Sequence, residues 1–268
     1  MNTQDPVGLA PVSKGRMQAI RKLLQRKGRR NEGKFLAEGP QAVREALLRG
    51  GVDELYIVTE TAHHHRGLIE IAHEQGVAAF GGTEQDLASI SSTVTPPGIV
   101  AVASFLDVPW SEVIAARPRL LVICDQVRDP GNAGTVIRCA DAFGADAVVL
   151  TEDSVEAYNP KTVRATAGSL FHVPIVVGMS LSDVVTDCRA AGMQVLAADG
   201  DGDMLLPDMD AAVPTAWLFG NEAWGLPANH LEMADRSVAV PIFGEAESLN
   251  LATAAAVCLY VSATAQRA

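Results

Sequence analysis

Three loops of this sequence combine glycine with amide, carboxylate or guanidinium side chains. They span residues 125–138, 218–227 and 241–250, and each follows a short apolar run that predicts a buried β-strand. Because α/β sheets place ligands at the carboxyl ends of their parallel strands, these loops are candidate sites of chemistry. The sequence therefore predicts a ligand site in the C-terminal half of the chain.

The first of these loops contains Asn132 and Arg138 and leads into a predicted helix. Gly131 and Gly134 permit close approach of the backbone to a ligand, and a helix N-terminus favours an anion. The pattern is neither GxGxxG nor a P-loop, because no Gly-Lys-Ser/Thr follows. Glycine and proline could also merely shape a tight turn here, but Asn132 and Arg138 favour a functional site.

The other two loops carry further polar candidates. Glu222 stands beside an amide where a strand opens into a loop, although alone it could be a surface carboxylate. Ser248 is a natural N-cap for a last helix that we predict from about Ser248 to Ala265. Asn250 would then lie in the first turn of that helix, where it could face the site.

The charge of the chain is unevenly distributed. Residues 1–50 contain eleven Lys or Arg and four Asp or Glu, a net charge of +7, whereas the remaining 218 residues carry −18. A run of nine cations between Lys14 and Lys34 contains a single acid, Glu32, and so lacks the regularly interleaved acids of a neutral solvated helix. A solvated helix face stays possible, but the run favours contact with RNA or DNA.

Alternating strands and helices divide the sequence into two α/β domains. We predict a small N-terminal domain over residues 1–105, a proline-containing linker over residues 106–118 and a larger domain over residues 119–268. A helix capped by Ser13 is predicted to run to about Lys27. The apolar run at residues 120–124 is typical of a buried parallel strand.

The composition is that of an ordinary globular protein. The 268 residues carry a net charge of −11, with 48% apolar and 20% charged residues, which excludes disordered, collagen-like and coiled-coil chains. No apolar run suggests a membrane helix or a signal peptide, and the four cysteines form no CxxC pair. We therefore expect a reduced, cytoplasmic protein with no membrane partner. The histidine cluster at residues 63–65 is predicted to be exposed helix surface, and no metal is expected.

Three sequence motifs occur in order near the C-terminus, and together they resemble a known family. They are Asn132 with Gly134 and Arg138, the stretch from Phe219 to Leu226, and the stretch from Pro241 to Asn250. They resemble the three motifs of the SpoU (TrmH-type) RNA 2′-O-ribose methyltransferases of the SPOUT class. Residues 159–169 are also similar to that family. The N-terminal domain resembles its L30e-like substrate-binding domain, so that the resemblance covers roughly residues 14–265.

The resemblance implies a fold, a cofactor and an assembly. The fold is α/β, with a small N-terminal L30e-like domain and a C-terminal parallel-sheet domain that contains a deep trefoil knot. The knot binds S-adenosylmethionine, mostly through backbone, with contacts expected at Gly220, Val240, Ile242 and Leu249. The family is homodimeric, and the small apolar face of Ala252, Ala255, Ala256 and Leu259 suits close helix packing, although a monomer core would show the same pattern.

The resemblance also assigns roles in catalysis. It places Arg138 at the ribose 2′-OH, and because a guanidinium stays protonated we expect it to anchor a phosphate and polarise the hydroxyl. A phosphate oxygen or water would take the proton. We expect orienting roles for Asn132, Glu222, Ser248 and Asn250. We expect RNA contacts at the cations Arg16, Arg21, Arg26, Lys27, Arg29, Arg30 and Arg164.

The expected substrate is 23S rRNA, because the L30e-like domain is commoner in the rRNA branch of the family; this is an argument by analogy. A tRNA 2′-O-methyltransferase is the alternative. A non-enzymatic RNA-binding protein with the same fold is disfavoured by the intact polar motifs. A nucleotide-dependent oxidoreductase is disfavoured by the absence of GxGxxG.

Overall fold

The computed structural model describes residues 8–268, which form two compact units. The first comprises the chain up to Leu106 together with Tyr158–Phe171, and the second comprises Asp107–Ala157 and His172–Ala268. Tyr158–Phe171 thus groups with the N-terminal unit, although its sequence lies inside the second predicted domain. The predicted linker at residues 106–118 contains a short helix of the second unit.

The first unit is a five-stranded sheet with helices. Labels follow chain order over both units. Its strands are β1 (Ala10–Pro11), β2 (Lys34–Glu38), β3 (Val52–Val58), β4 (Ala78–Gly82) and β5 (Ile99–Ser104). Its helices are α1 (Lys14–Arg21), α2 (Arg26–Glu32), α3 (Pro40–Arg49), α4 (Arg66–Glu74), α5 (Glu84–Ala88) and α8 (Pro160–Ala165). The strand order is β1-β4-β3-β5-β2, in which β5 runs antiparallel to both neighbours.

Aromatic packing explains why Tyr158–Phe171 belongs to the first unit. The ring of Phe35, which is fully buried in β2, has its centroid 4.7 Å from that of Tyr158 and 5.9 Å from that of Phe171. The Tyr158 hydroxyl accepts a hydrogen bond from the backbone N–H of Leu106 at 2.7 Å. Offset aromatic contacts of this kind bury large apolar areas, so the segment completes the core of this unit.

The basic segment is helical, but its helix is interrupted. The sequence predicts one helix from Ser13 to about Lys27, whereas α1 is followed by a 3-10 turn at Lys22–Leu24 before α2 begins. The prediction that Ser13 caps the helix is confirmed. Gly28 permits the tight turn, because a Cβ there would collide with the carbonyl oxygen of Lys22.

The second unit contains a seven-stranded sheet. Its strands are β6 (Leu120–Cys124), β7 (Ala147–Thr151), β8 (Ile175–Met179), β9 (Gln194–Ala198), β10 (Met204–Leu205), β11 (Thr215–Phe219) and β12 (Arg236–Ala239). Its helices are α6 (Trp110–Ala115), α7 (Pro130–Phe143), α9 (Leu181–Ala190), α10 (Ala228–Leu231) and α11 (Leu251–Arg267). The strand order is β10-β12-β9-β11-β6-β7-β8, and every pair is parallel.

The centre of this sheet is buried on both faces. Every residue of β6, β7 and β11 is buried, which confirms the prediction made from the continuous apolar run at residues 120–124. Across residues 8–268, no helix combines the length and the apolar character that a membrane crossing requires.

The C-terminal helix α11 packs against α7 and the central strands. Ala252, Ala255 and Leu259 are buried there, so most of the small-residue face considered for a dimer interface is covered within one chain. The helix begins at Leu251 and its N-cap is Asn250. The prediction that Ser248 caps this helix was therefore wrong, because residues 248 and 249 are not yet helical.

A buried hydrogen bond secures α11 to β11. The indole N–H of Trp217 donates to Ser262 Oγ at 2.9 Å, and both residues are fully buried. Ser262→Ala would leave this N–H without a partner, so we expect a loss of about 1–3 kcal/mol in the free energy of unfolding, measured by urea denaturation. Thr264→Ala, at an exposed position of the same helix, should have little effect. Equal stability of the two variants would contradict this role of Ser262.

Candidate active site

The loops after β6 and β11 begin side by side. The two strands are neighbours, and the register pairs Cys124 with Phe219, the last residue of each strand. The backbone N–H of Asp125 then donates to the carbonyl oxygen of Phe219 at 2.8 Å, which extends the pairing by one residue. The first two motif loops therefore leave the same edge of the sheet at adjacent points.

Asn221 joins these two loops. Its side chain is buried, and Nδ2 donates to the carbonyl oxygen of Gln126 at 2.8 Å. Its Oδ1 accepts from the backbone N–H of Ala223 at 2.8 Å, which also fixes its own loop. Gln126 adopts a left-handed backbone with φ of 55°, which is uncommon for a residue with a side chain. The sequence alone gave no reason to single out Asn221 from its neighbours.

Glu222 holds the start of α7. Its Oε1 accepts from the backbone N–H of Asp129 at 3.1 Å, and its Oε2 accepts from that of Arg128 at 3.3 Å. Asp129 in turn caps α7, because its Oδ1 accepts from the backbone N–H of Asn132 at 2.9 Å. The carboxylate of Glu222 thus binds main-chain groups of the neighbouring loop, which is a positioning role.

Asn250 connects the first motif to the third. Its Nδ2 donates to Asn132 Oδ1 at 3.0 Å, while its own Oδ1 accepts from the backbone N–H of Ala252 at 2.9 Å. One side chain therefore caps α11 and fixes the amide at the start of α7. The structure thus brings Asn132, Glu222 and Asn250 into one hydrogen-bonded chain of contacts, as the sequence predicted them to share a site.

Arg138 and Ser248 stand outside that chain of contacts. Arg138 is exposed on α7, six residues beyond Asn132, or about 9 Å along the helix axis. Within residues 8–268 its guanidinium makes no ion pair or hydrogen bond. Ser248 is also exposed, and its hydroxyl has no partner in the described part of the chain. Both side chains are available to a ligand.

The third loop presents unpaired backbone and apolar side chains. In the described structure, residues 241–249 make no backbone–backbone hydrogen bond. Ile242 and Leu249 expose 38% and 36% of their surface. At the start of the second loop, a Cβ on Gly220 would lie 2.6 Å from the carbonyl carbon of Gly225. These loops can receive a flat group that needs both apolar contact and main-chain hydrogen bonds.

Two buried groups under the first loop escaped sequence reasoning. The carboxylate of Asp125 is almost fully buried and bonds His230 Nδ1 at 2.7 Å and the Thr151 hydroxyl at 3.0 Å. The only signal was that Asp125 directly follows a buried strand. Burial, with the negative charges of Glu222 and Asp125, raises the pKa of the Cys124 thiol to about 12. That thiol stays protonated at neutral pH and is not a nucleophile.

Comparison with known proteins decides which family these loops belong to. The sequence pattern of the SpoU rRNA Methylase family matches residues 119–260, and that of the MRM3-like substrate binding domain matches residues 14–101. The chain belongs to the SpoU rRNA methylase family. One relative is the 23S rRNA (guanosine(2553)-2′-O)-methyltransferase RlmP of Bacillus subtilis, 37% identical over 90% of this chain and 92% of its own length.

Solved structures of SpoU-type enzymes have the same fold. The AdoMet-bound rRNA methyltransferase from Sinorhizobium meliloti is 30% identical, with a TM-score of 0.82 over 95% of this chain and 97% of its own. The SpoU methyltransferase AviRb from Streptomyces viridochromogenes, in complex with AdoMet, is also 30% identical. Its TM-score is 0.82 over 94% of this chain and 98% of its own. The predicted family and the α/β class are thereby confirmed.

Two of the cations predicted to bind RNA in this SpoU protein make close contacts within the protein. Arg29 is 2% exposed, and its Nη1 donates to the carbonyl oxygens of Leu23 and Leu24 at 2.9 Å each. It closes the turn between the first two helices. Arg164 bonds the Ser92 hydroxyl and lies 3.6 Å from the buried carboxylate of Glu38, so its charge is committed to that acid.

The other predicted cations lie on the outside of the basic segment. Arg16 pairs with Glu54 at 3.3 Å and its guanidinium lies 4.0 Å from the centroid of the Phe80 ring. Arg21 donates to the carbonyl oxygen of Ser89 at 3.2 Å. The exposed cations of α2 are Arg26, Lys27 and Arg30.

The role of Glu222 can be tested by hydrogen exchange. Glu222→Ala removes the acceptor of the Arg128 and Asp129 amides, so we expect faster exchange in a peptide covering residues 125–132. Glu245→Ala, an exposed acid in the third loop, is the matched control and should leave that peptide unchanged. Unchanged exchange in both variants would show that Glu222 does not hold this loop.

Proposed function

We propose that this SpoU-family protein transfers a methyl group from S-adenosylmethionine to a ribose 2′-OH of 23S rRNA. The observation that carries the proposal is the linkage of all three motif loops through Asn221, Glu222 and Asn250. The 37% identity to RlmP, which is named for this modification of 23S rRNA, supports the choice of substrate and of modified atom.

The loops fit S-adenosylmethionine as the methyl donor. When bound, it supplies an electrophilic methyl group on a sulfonium sulfur. We propose that Gly220, Val240, Ile242 and Leu249 hold it. The unpaired main-chain groups of residues 241–249 suit the edge of an adenine, and the exposed Ile242 and Leu249 suit its faces.

Arg138 is proposed to bind the target nucleotide. Its guanidinium stays protonated, so it donates hydrogen bonds and does not act as a base. Arg138 is exposed and has no partner among residues 8–268, so it can anchor a phosphate and polarise the attacking 2′-OH. A phosphate oxygen or a water molecule then accepts the proton.

The remaining predicted site residues fall into two groups, according to what their side chains contact. Glu222 and Asn250 act on the backbone and on Asn132, so we propose that they are positioning residues. Asn132 links the first turn of α7 to Asn250, and Arg138 lies further along the same helix. Ser248, whose hydroxyl is exposed, is proposed to orient the ribose or the cofactor directly.

The assembly that the family resemblance implies is also a proposal. We propose a homodimer with its site across the interface, a trefoil knot in the C-terminal unit, and a cytoplasmic location beside the rRNA substrate. Because Ala252, Ala255 and Leu259 are covered within one chain, the dimer would use other residues of α11, such as Tyr260, which is 58% exposed. Sulfonium methyl transfer needs no metal, and we propose none.

A direct assay tests the function. Radiolabelled S-adenosylmethionine is incubated with the protein and with separate in vitro transcripts of 23S rRNA, 16S rRNA and tRNA. We expect label only in 23S rRNA, at one position that resists alkaline hydrolysis. Label only in tRNA would overturn the substrate, and cofactor that fails to bind would favour a non-enzymatic RNA-binding protein.

If Arg138 binds the target nucleotide, its loss should lower the rate of methyl transfer without changing the affinity for the cofactor. Arg138→Ala should lower the rate of methyl transfer by about 10²- to 10³-fold, because a donor to the reacting nucleotide is lost. Affinity for S-adenosylmethionine, measured by calorimetry, should be unchanged. Arg236→Ala, an exposed arginine at the start of β12 and so at the opposite end of the strands, is the control. A large loss of cofactor affinity in Arg138→Ala would contradict the assignment.

The basic segment predicts a specific salt dependence. Lys27→Gln combined with Arg30→Gln should reduce the slope of log affinity for RNA against log salt by about 1.4–1.8, if each cation contacts one phosphate. Arg66→Gln, which removes an exposed cation paired with Glu70 on α4, should leave the slope unchanged. If the double variant keeps the wild-type slope, α2 is only a solvated surface.

A further inference from the structure

Trp224 is exposed in the second motif loop. The other two tryptophans, Trp110 and Trp217, are 8% and 0% exposed, whereas Trp224 is 57% exposed. Tryptophan is enriched among the residues that contribute most of the binding energy at interfaces. The loop that carries Trp224 is held rigidly by the contacts of Asn221 and Glu222.

Arg128 accompanies the exposed indole. Its guanidinium carbon lies 5.9 Å from the centroid of the Trp224 ring. Its backbone N–H donates to Glu222 Oε2, so the carboxylate of that residue holds the main chain of Arg128. Among the described residues, the guanidinium itself forms no ion pair. An aromatic face and a guanidinium are thus presented together, within the loops that carry the proposed site.

We propose that Trp224 stacks on a nucleobase of the rRNA strand that carries the target ribose, and that Arg128 contacts a phosphate of the same strand. This inference rests on the proposed function. Aromatic rings bind unstacked bases of any sequence, and a guanidinium beside the ring suits the adjoining phosphate.

Tryptophan fluorescence provides a direct test of the stacking. Because Trp110 and Trp217 are buried, acrylamide should quench chiefly Trp224. Adding an unmodified in vitro transcript of 23S rRNA should protect this emission from acrylamide. Trp224→Phe should remove the fluorescence that RNA protects from acrylamide. The variant should keep most of the affinity for RNA, because a phenyl ring still stacks on a base. Emission that stays equally accessible in the RNA complex would overturn the proposal.

Kinetics and the salt dependence of RNA binding distinguish the role of Trp224 from that of Arg128. Trp224→Ala should lower kcat/KM for the RNA by about tenfold, with KM for S-adenosylmethionine unchanged and with rescue by Trp224→Phe. It should not alter the slope of log affinity against log salt. Arg128→Ala should reduce that slope by about 0.7–0.9, as expected for one lost phosphate contact.

Other occupants of this surface would give different results, each of which overturns the proposal. A rise in KM for S-adenosylmethionine in Trp224→Ala would place the ring against the cofactor. A change in oligomeric state, measured by light scattering, would place it in an interface between two copies. If the wild-type protein binds the transcript but methylates no RNA, the proposed function fails, while the fluorescence result still decides whether Trp224 stacks.

Discussion

The side-chain amide of Asn221 donates to the carbonyl oxygen of Gln126, and the arrangement of the site depends on this bond between two loops. Both loops turn sharply as they leave adjacent parallel strands, so their backbone polar groups lack the partners that a sheet would give them. Asn221 satisfies one group in each loop. Glu222 continues the connection to the start of α7, and Asn250 carries it from α7 to α11. Three distant parts of the sequence are thereby held as one body.

This arrangement also determines where charge is available. The carboxylates of Glu222 and Asp129 accept hydrogen bonds from backbone amides, and that of Asp125 is buried against His230 and Thr151. These three carboxylates are therefore engaged with the protein itself, whereas Glu245 and Glu247 of the third loop are exposed. Arg128 and Arg138 are left exposed, which explains how a chain with a net charge of −11 can present a surface suited to RNA.

The sequence predicted those features that depend on local pattern. The apolar run at residues 120–124 predicted a buried strand, and the three loops predicted the edge where the motifs meet. Features that depend on distant contacts were missed. Arg29 looked like an exposed cation until the turn that it closes was known, and Asp125 bonds a histidine 105 residues away. The cap of α11 was misplaced because Ser248 and Asn250 have similar N-cap preferences, and contact with Asn132 favours Asn250.

The kinetics of Asn221→Asp test most directly whether the joined loops position the reaction. The substitution keeps the shape of the side chain but replaces the donor with a carboxylate oxygen, which repels the carbonyl of Gln126. If the loops position Arg138 and the cofactor together, kcat for methylation of 23S rRNA should fall by about 10²-fold, as small displacements of reacting groups can cause. The thermal midpoint should fall only slightly. Wild-type kcat and wild-type KM for S-adenosylmethionine in this variant would show that the site does not depend on the bond.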